Sequence, residues 1–227
     1  MKRHIPNALT CANLFSGCIG VVFAFKGDLN IAAYAVLISG ICDFFDGFVA
    51  RLLNVKSPIG KELDSLADMV SFGFLPGVVM FQLLAQSDFS SPYLPYLGFL
   101  ITIFSALRLA KFNIDTRQTE DFIGLNTPMN TLFIVSLPFI HKDYPGLINS
   151  SILLVAVTVI MSFLLTSEIR IFSLKFGSLE WKQNKVKFIF LMLSAVLIAF
   201  LMFAAIPFIL VLYISLSVLH FRRVPKL

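Results

Sequence analysis

Charge is scarce in this chain: 14% of its 227 residues are Asp, Glu, Lys or Arg, against about 25% in an ordinary soluble domain. A soluble core of this size has no room for the 58% of residues that are hydrophobic, so lipid is the solvent that the composition implies. Cysteine is nearly absent. Cys11, Cys18 and Cys42 lie in apolar stretches without metal-ligand company, which excludes a disulfide framework and leaves buried structural thiols. There is one tryptophan, Trp181, and there are three histidines, His4, His141 and His220, each alone near an expected helix end; an interfacial position accounts for them. Internal repeats and low-complexity tracts are missing as well. No cleavable signal peptide is expected, because the N-terminal apolar run is too long and lacks a small-residue cleavage site.

What is present is a series of apolar runs. Stretches free of Asp, Glu, Lys and Arg cover 5–25, 29–42, 69–87, 89–107, 122–141, 144–167 and 188–221. A transmembrane helix needs about 20 such residues. The second run is short, but it continues through an amphipathic segment from Asp43 to about Leu53. The last is long enough for two short spans if the chain turns at Pro207, beside Ala204, Ala205 and Ile206. The expected fold is therefore all-α: one domain over 1–227, a polytopic transmembrane bundle of about eight spans.

The basic residues test that number, since cytoplasmic loops are enriched in Lys and Arg. With eight spans and both termini cytoplasmic, one face collects Lys2, Arg3, Arg51, Lys56, Lys61, Arg108, Lys111, Arg117, Arg170, Lys175, Lys182, Lys185, Lys187, Arg222, Arg223 and Lys226. Only Lys26 and Lys142 fall on the other side. The net charge of +5 thus reads as topology beside anionic membrane lipids, with no nucleic-acid partner. The polar stretch Glu168 to Lys187 reads as a cytoplasmic loop anchored at the interface by Trp181.

Ionisable groups at a span boundary are costly and carry function by default. Asp43, Asp46, Gly47, Ala50 and Arg51 recur at the spacing of one helix face, as do Gly60, Asp64 and Asp68. A turn around Asn54–Ile59, at Pro58, would bring the two faces together. Four converging carboxylates repel one another unless cations lie between them. An all-oxygen donor set suits Mg²⁺ or Mn²⁺, with Ca²⁺ a further candidate, and not zinc. Two ions fit four acids, and paired ions serve displacement at phosphorus. Gly47 and Gly60 leave room for a ligand against the backbone, and Arg51 is a natural phosphate partner. The bland reading, salt bridges to Arg51, Lys56 and Lys61, explains single acids but not the array.

The array Asp43, Asp46, Gly47, Ala50, Arg51, Gly60, Asp64, Asp68 resembles the full signature of the CDP-alcohol phosphotransferase family, D-x-x-D-G-x-x-A-R-x8-G-x3-D-x3-D. The resemblance implies a helical membrane enzyme, usually a homodimer, with its site at the cytoplasmic boundary. It implies that the four aspartates hold the metal, that Asp68 also activates the acceptor hydroxyl, and that Gly47, Ala50, Arg51 and Gly60 line the CDP pocket. Three further stretches are similar to the serine-accepting branch: Ile5 to Asn13, Ser71 to Pro76, and Leu107 to Asn113 with Phe122 to Pro128. Lys111 stands where that branch has Arg and Asn126 where it has Pro. The branch implies CDP-diacylglycerol and L-serine as substrates and CMP as leaving product, at the inner (cytoplasmic) membrane of a bacterium.

Other residues leave alternatives open. Asn7, Thr10, Asn13 and Gly17 form a polar stripe that faces the nucleotide or ties helices together. Arg108 and Lys111 anchor topology or hold a substrate carboxylate or phosphate. Within the family, glycerol 3-phosphate, inositol phosphate and choline are the rival acceptors. Outside it, the rivals are an ion-coupled transporter, against which the boundary clustering of the acids and the lack of a repeat both count, and a lipid-binding scaffold.

Overall fold

The structure, a computed structural model, describes residues 4–55, 57–89, 91–115, 117, 121–174 and 180–223. Lys2, Arg3, Lys56, Lys175 and Lys226 lie outside the described residues, as do the side chains of Lys182 and Arg223. The described chain is a helical bundle. Helix α1 spans His4–Phe25 and α2 spans Leu29–Leu52. Helix α3, Pro58–Asp68, runs through a π-helical stretch, Met69–Phe74, into α4, Leu75–Ala85. A 3₁₀ turn at Leu94–Gly98 leads into α5, Phe99–Ile114. Then follow α6 (Thr127–Asp143), the single turn α7 (Pro145–Ile148), α8 (Ser151–Thr166), α9 (Trp181–Leu201) and α10 (Ala205–Arg223).

Among the described residues, five helical segments are long and apolar enough to cross a membrane: His4–Phe25, Leu29–Leu52, Pro58–Ala85, Leu94–Ile114 and Gln183–Arg222. Helices α6 and α8, with 17 and 16 residues, fall below that length. At 1.5 Å per residue each is about 25 Å long, against a hydrocarbon core of about 30 Å. The last segment is one apolar run of 40 residues, but it is not one rod. The rings of Phe190 and Tyr213 meet with their centroids 5.1 Å apart although they lie on opposite sides of a break, so α9 and α10 form a hairpin. The break differs from the expected one. It falls at Met202, where φ is 50°, with Met202–Ala204 in a 3₁₀ turn. Pro207 sits inside the first turn of α10, where its missing N–H costs no helical hydrogen bond.

Local chemistry fixes several boundaries. Ser57 caps α3 by accepting the Gly60 N–H at 3.2 Å, and Pro58 takes the first helical position. The turn therefore lies before Pro58, with Asn54 at φ 49°, a left-handed position that Asn tolerates. Asn126 caps α6, its side-chain oxygen accepting the Met129 N–H at 2.9 Å; this gives the departure at 126 a role of its own. Helix α6 starts later than the apolar run at 122 implies, because Phe122–Ile123 pairs antiparallel with Arg170–Ile171, a two-residue ladder that an all-α expectation missed. Gly124, at φ 77°, closes against the carbonyls of Leu165 and Ser167. The cysteines also differ from expectation. Cys11 and Cys18 are exposed on the bundle's outer surface and are not core thiols, and Cys42 is half-buried.

Helix α4 is the buried centre: Leu75, Val78, Val79 and Met80 are fully enclosed. Around it, tertiary contacts sort the helix ends. Thr10 meets Asp46, Lys61 donates to the Asn113 carbonyl, Lys111 pairs with Glu168, and Arg170 lies over Phe221. The start of α1, the α2–α3 turn and the ends of α5, α8 and α10 thus share one end of the bundle. At the other end, Gln82 donates to the Phe25 carbonyl, Asp88 binds Ser151, and Phe139 stacks on Phe203. The Asp88 carboxyl, outside the spans, is held below its usual range by the Ser151 hydroxyl and N–H.

Gly17 meets the π-helical stretch so closely that a Cβ there would collide with the Ser71 hydroxyl and stand 3.1 Å from its Cα. Gly17→Ala is expected to destabilise the protein by about 1–3 kcal/mol, the usual cost of overpacking. Thermal unfolding in detergent checks this; an unchanged midpoint contradicts the close approach.

Candidate active site

Helices α2 and α3 each pack on α1 and are not closely packed on each other. The two acidic faces therefore meet over α1, which projects its own polar stripe into the gap. One carboxylate oxygen each from Asp43, Asp64 and Asp68 lies within 4.8 Å of the other two. Asp46, one turn beyond Asp43 and buried, is outside that trio; it accepts a 2.6 Å hydrogen bond from the Thr10 hydroxyl. Oδ1 of Asp64 is buried with no hydrogen-bond partner among the described residues. Among the described residues no ion pair neutralises the trio. Closely spaced oxygens, one of them orphaned, fit a hard divalent cation, and an orphaned buried acceptor asks for such an explanation.

Beside the trio lies a pocket of about 250 Å³, lined by Asn7 and Thr10 of α1, Asp46, Gly47 and Ala50 of α2, and Gly60, Lys61 and Asp64 of α3. A Cβ on Gly60 would stand 3.0 Å from the Asn7 Oδ1, so a side chain there would crowd the pocket. Arg51 stands apart from the lining. It is exposed, with Nη1 3.6 Å from where a Gly47 Cβ would lie, at the rim of the pocket. The geometry brings Asn7, Thr10, Gly47, Ala50 and Gly60 together with two of the four acids, and leaves the Arg51 guanidinium above them.

Arg108 and Lys111 part company. Arg108 is buried, 4% exposed, with its guanidinium 5.0 Å from the Phe112 ring. Lys111 is exposed and pairs with Glu168 at 3.5 Å, beside Arg117, which reaches Glu168 at 3.6 Å and Asp115 at 2.9 Å. Sequence spacing put both on one helical turn, but only Arg108 points inward.

Sequence reasoning missed the device that sets Asp68. A π turn begins at the next residue, as it often does at functional sites. The loosened turn is held from three sides: the Thr131 hydroxyl donates to the Phe72 carbonyl at 2.7 Å, the Thr102 hydroxyl to that of Gly73 at 3.1 Å, and the Ser71 hydroxyl to that of Asn13 at 3.1 Å. Asn13 completes the arrangement, donating from Nδ2 to Asp68 Oδ1 at 3.3 Å. Its place on the polar stripe and at the end of the Ile5 to Asn13 stretch were the signals available.

With this geometry in hand, comparisons with known proteins assign the class. Residues 3–164 match the CDP-alcohol phosphatidyltransferase family. The chain belongs to that family. It is 32% identical over 172 residues to the CDP-diacylglycerol–serine O-phosphatidyltransferase of Bacillus subtilis (strain 168), covering 74% of this chain and 89% of the relative. It is 31% identical over 196 residues to the enzyme of the same name from Helicobacter pylori (strain 26695), covering 85% and 81%. An archaetidylserine synthase from Methanothermobacter thermautotrophicus is 32% identical over 161 residues, 69% of this chain and 66% of that one.

Proposed function

We propose that this protein transfers the phosphatidyl group of CDP-diacylglycerol to the hydroxyl of L-serine, releasing CMP and phosphatidylserine. The observation that carries the chemistry is the convergence of Asp43, Asp64 and Asp68 within 4.8 Å beside a pocket bordered by the rest of the signature. The likeness to serine O-phosphatidyltransferases supports the acceptor. Asp43, Asp64 and Asp68, with Asp46, would hold Mg²⁺ or Mn²⁺. A bound cation supplies positive charge against the pyrophosphate and its transition state. Asn7, Thr10, Gly47, Ala50 and Gly60 would border the nucleotide, with Arg51 over its phosphates. Asp68 accepts the proton of the serine hydroxyl. The serine oxygen bonds to the lipid-proximal phosphorus in line, the bond to the CMP oxygen breaks, and CMP leaves with the electron pair. Arg108 is the cation suited to the acceptor carboxylate; the Lys111–Glu168 pair makes Lys111 a lesser candidate.

In this reading the eight rods all cross the inner (cytoplasmic) membrane, both termini and the aspartates sit at its cytoplasmic side, and two copies form a homodimer. The shared end for the α1 start and the α10 end supports the even number of crossings. The aspartates cluster at that same end, which fits a headgroup reaction better than transport through the midplane.

The test is CMP release by purified protein in detergent with CDP-diacylglycerol and Mn²⁺. L-serine, glycerol 3-phosphate, inositol phosphate and choline are added one at a time. Release with L-serine alone is expected. Release with another acceptor overturns the choice of alcohol, and no release with any acceptor from folded protein overturns the chemistry.

A further inference from the structure

Asn13 is fully buried and lies a helix away from the acids in sequence, yet it touches the one assigned to the proton. Its amide donates to Asp68 Oδ1 at 3.3 Å. Its own backbone carbonyl accepts two hydroxyls, from Ser39 of α2 and from Ser71 of the π-helical stretch, both at 3.1 Å. One residue of α1 is therefore clamped to both acid-bearing segments at the depth of Asp68. Its Oδ1 has no hydrogen-bond partner among the described residues. A buried amide with an unused oxygen costs about 1–3 kcal/mol, so packing alone gives it no reason to be there. A leucine of similar volume would fill the space without that penalty.

We propose that Asn13 is a positioning residue for Asp68. Its N–H occupies one carboxylate oxygen of Asp68 and so fixes the carboxylate plane, leaving the other oxygen for the acceptor hydroxyl and the cation. The π-helical turn makes this necessary. It frees the segment after Asp68 from regular helical register, and the side chains that recapture its carbonyls, Thr131 at Phe72 and Thr102 at Gly73, act beyond Asp68. Nothing among the described contacts except Asn13 holds the Asp68 side chain itself. The role is orientational, and small errors in placing a reacting group are expensive. The inference rests on the phosphatidyl-transfer reading above.

Asn13→Leu and the smaller Asn13→Ser test it. Both are purified beside wild type and assayed for serine-dependent CMP release. Thermal stabilisation by CDP with Mn²⁺ is measured in parallel as an independent sign that the nucleotide site is formed. The expected result is a kcat at least about tenfold lower, as loss of a hydrogen bond to a charged group implies. KM for CDP-diacylglycerol stays within about threefold, and the stabilisation is retained. A kcat within about threefold of wild type in either variant that keeps the stabilisation overturns the proposal. Loss of stabilisation and rate together in both variants also overturns it, since Asn13 would then be a packing residue. Absence of serine-dependent release from wild type overturns the phosphatidyl-transfer reading itself, and this control separates the two failures.

Discussion

Asp68→Asn is expected to lower serine-dependent CMP release by at least about a thousandfold while the protein stays folded. General-base catalysis alone contributes about 10²–10⁴-fold, and this carboxylate is also one of the three oxygen donors within 4.8 Å. The amide is nearly the same size, and its oxygen can still accept from Asn13 as Asp68 Oδ1 does at 3.3 Å, so the surrounding helices need not move. One of several mutually repelling carboxylates is removed. In chelator, the melting temperature of the variant should equal or exceed that of wild type. Rate and melting temperature measured on one preparation check both parts. A near-normal rate would remove Asp68 from the chemistry and leave it a structural role at most.

Chelation of divalent metal is expected to abolish turnover, with recovery on adding Mn²⁺ or Mg²⁺. The same addition should raise the melting temperature, because a ligand that binds only the folded state stabilises it, by about 2.7 kcal/mol at a hundred times its dissociation constant. Asp64 gives the sharper form of the test. Its Oδ1 is buried without a partner among the described residues, so its place in the protein makes sense chiefly with a cation present. Asp64→Asn should therefore lose most of the metal-dependent stabilisation as well as the rate. Full activity in exhaustively chelated protein, or an Asp64→Asn variant that metal stabilises like wild type, would contradict the cation site.

Much of this was legible in the sequence, for identifiable reasons. Asp43 and Asp46 on α2, and Gly60, Asp64 and Asp68 on α3, are separated by whole helical turns, so periodicity alone places each set on a face. Thr10 and Asn13 were legible as a stripe. Their partners were not, because a stripe does not say which neighbour it meets; Asp46 and Asp68 are 36 and 55 residues away. A turn around Asn54–Ile59 was expected to bring the acidic faces together; that both helices lean on α1 was not legible. The hairpin in the last apolar run was foreseen and its position was not. Proline draws attention, yet Pro207 is harmless in a first turn, and the break fell at Met202. Arg108 and Lys111 share a turn, but three residues rotate a helix far enough to send one inward and the other toward Glu168. The two-residue ladder at Phe122–Ile123 leaves no period-two pattern long enough to read.

The central claim is that the serine oxygen itself attacks the lipid phosphorus. L-serine carrying ¹⁸O in its hydroxyl, given to the purified protein with CDP-diacylglycerol and Mn²⁺, tests it in one mass spectrum of the lipid and nucleotide products. The account predicts phosphatidylserine that retains the ¹⁸O and CMP that contains none. Phosphatidylserine without the label, or CMP released together with phosphatidic acid and no labelled lipid, would contradict it.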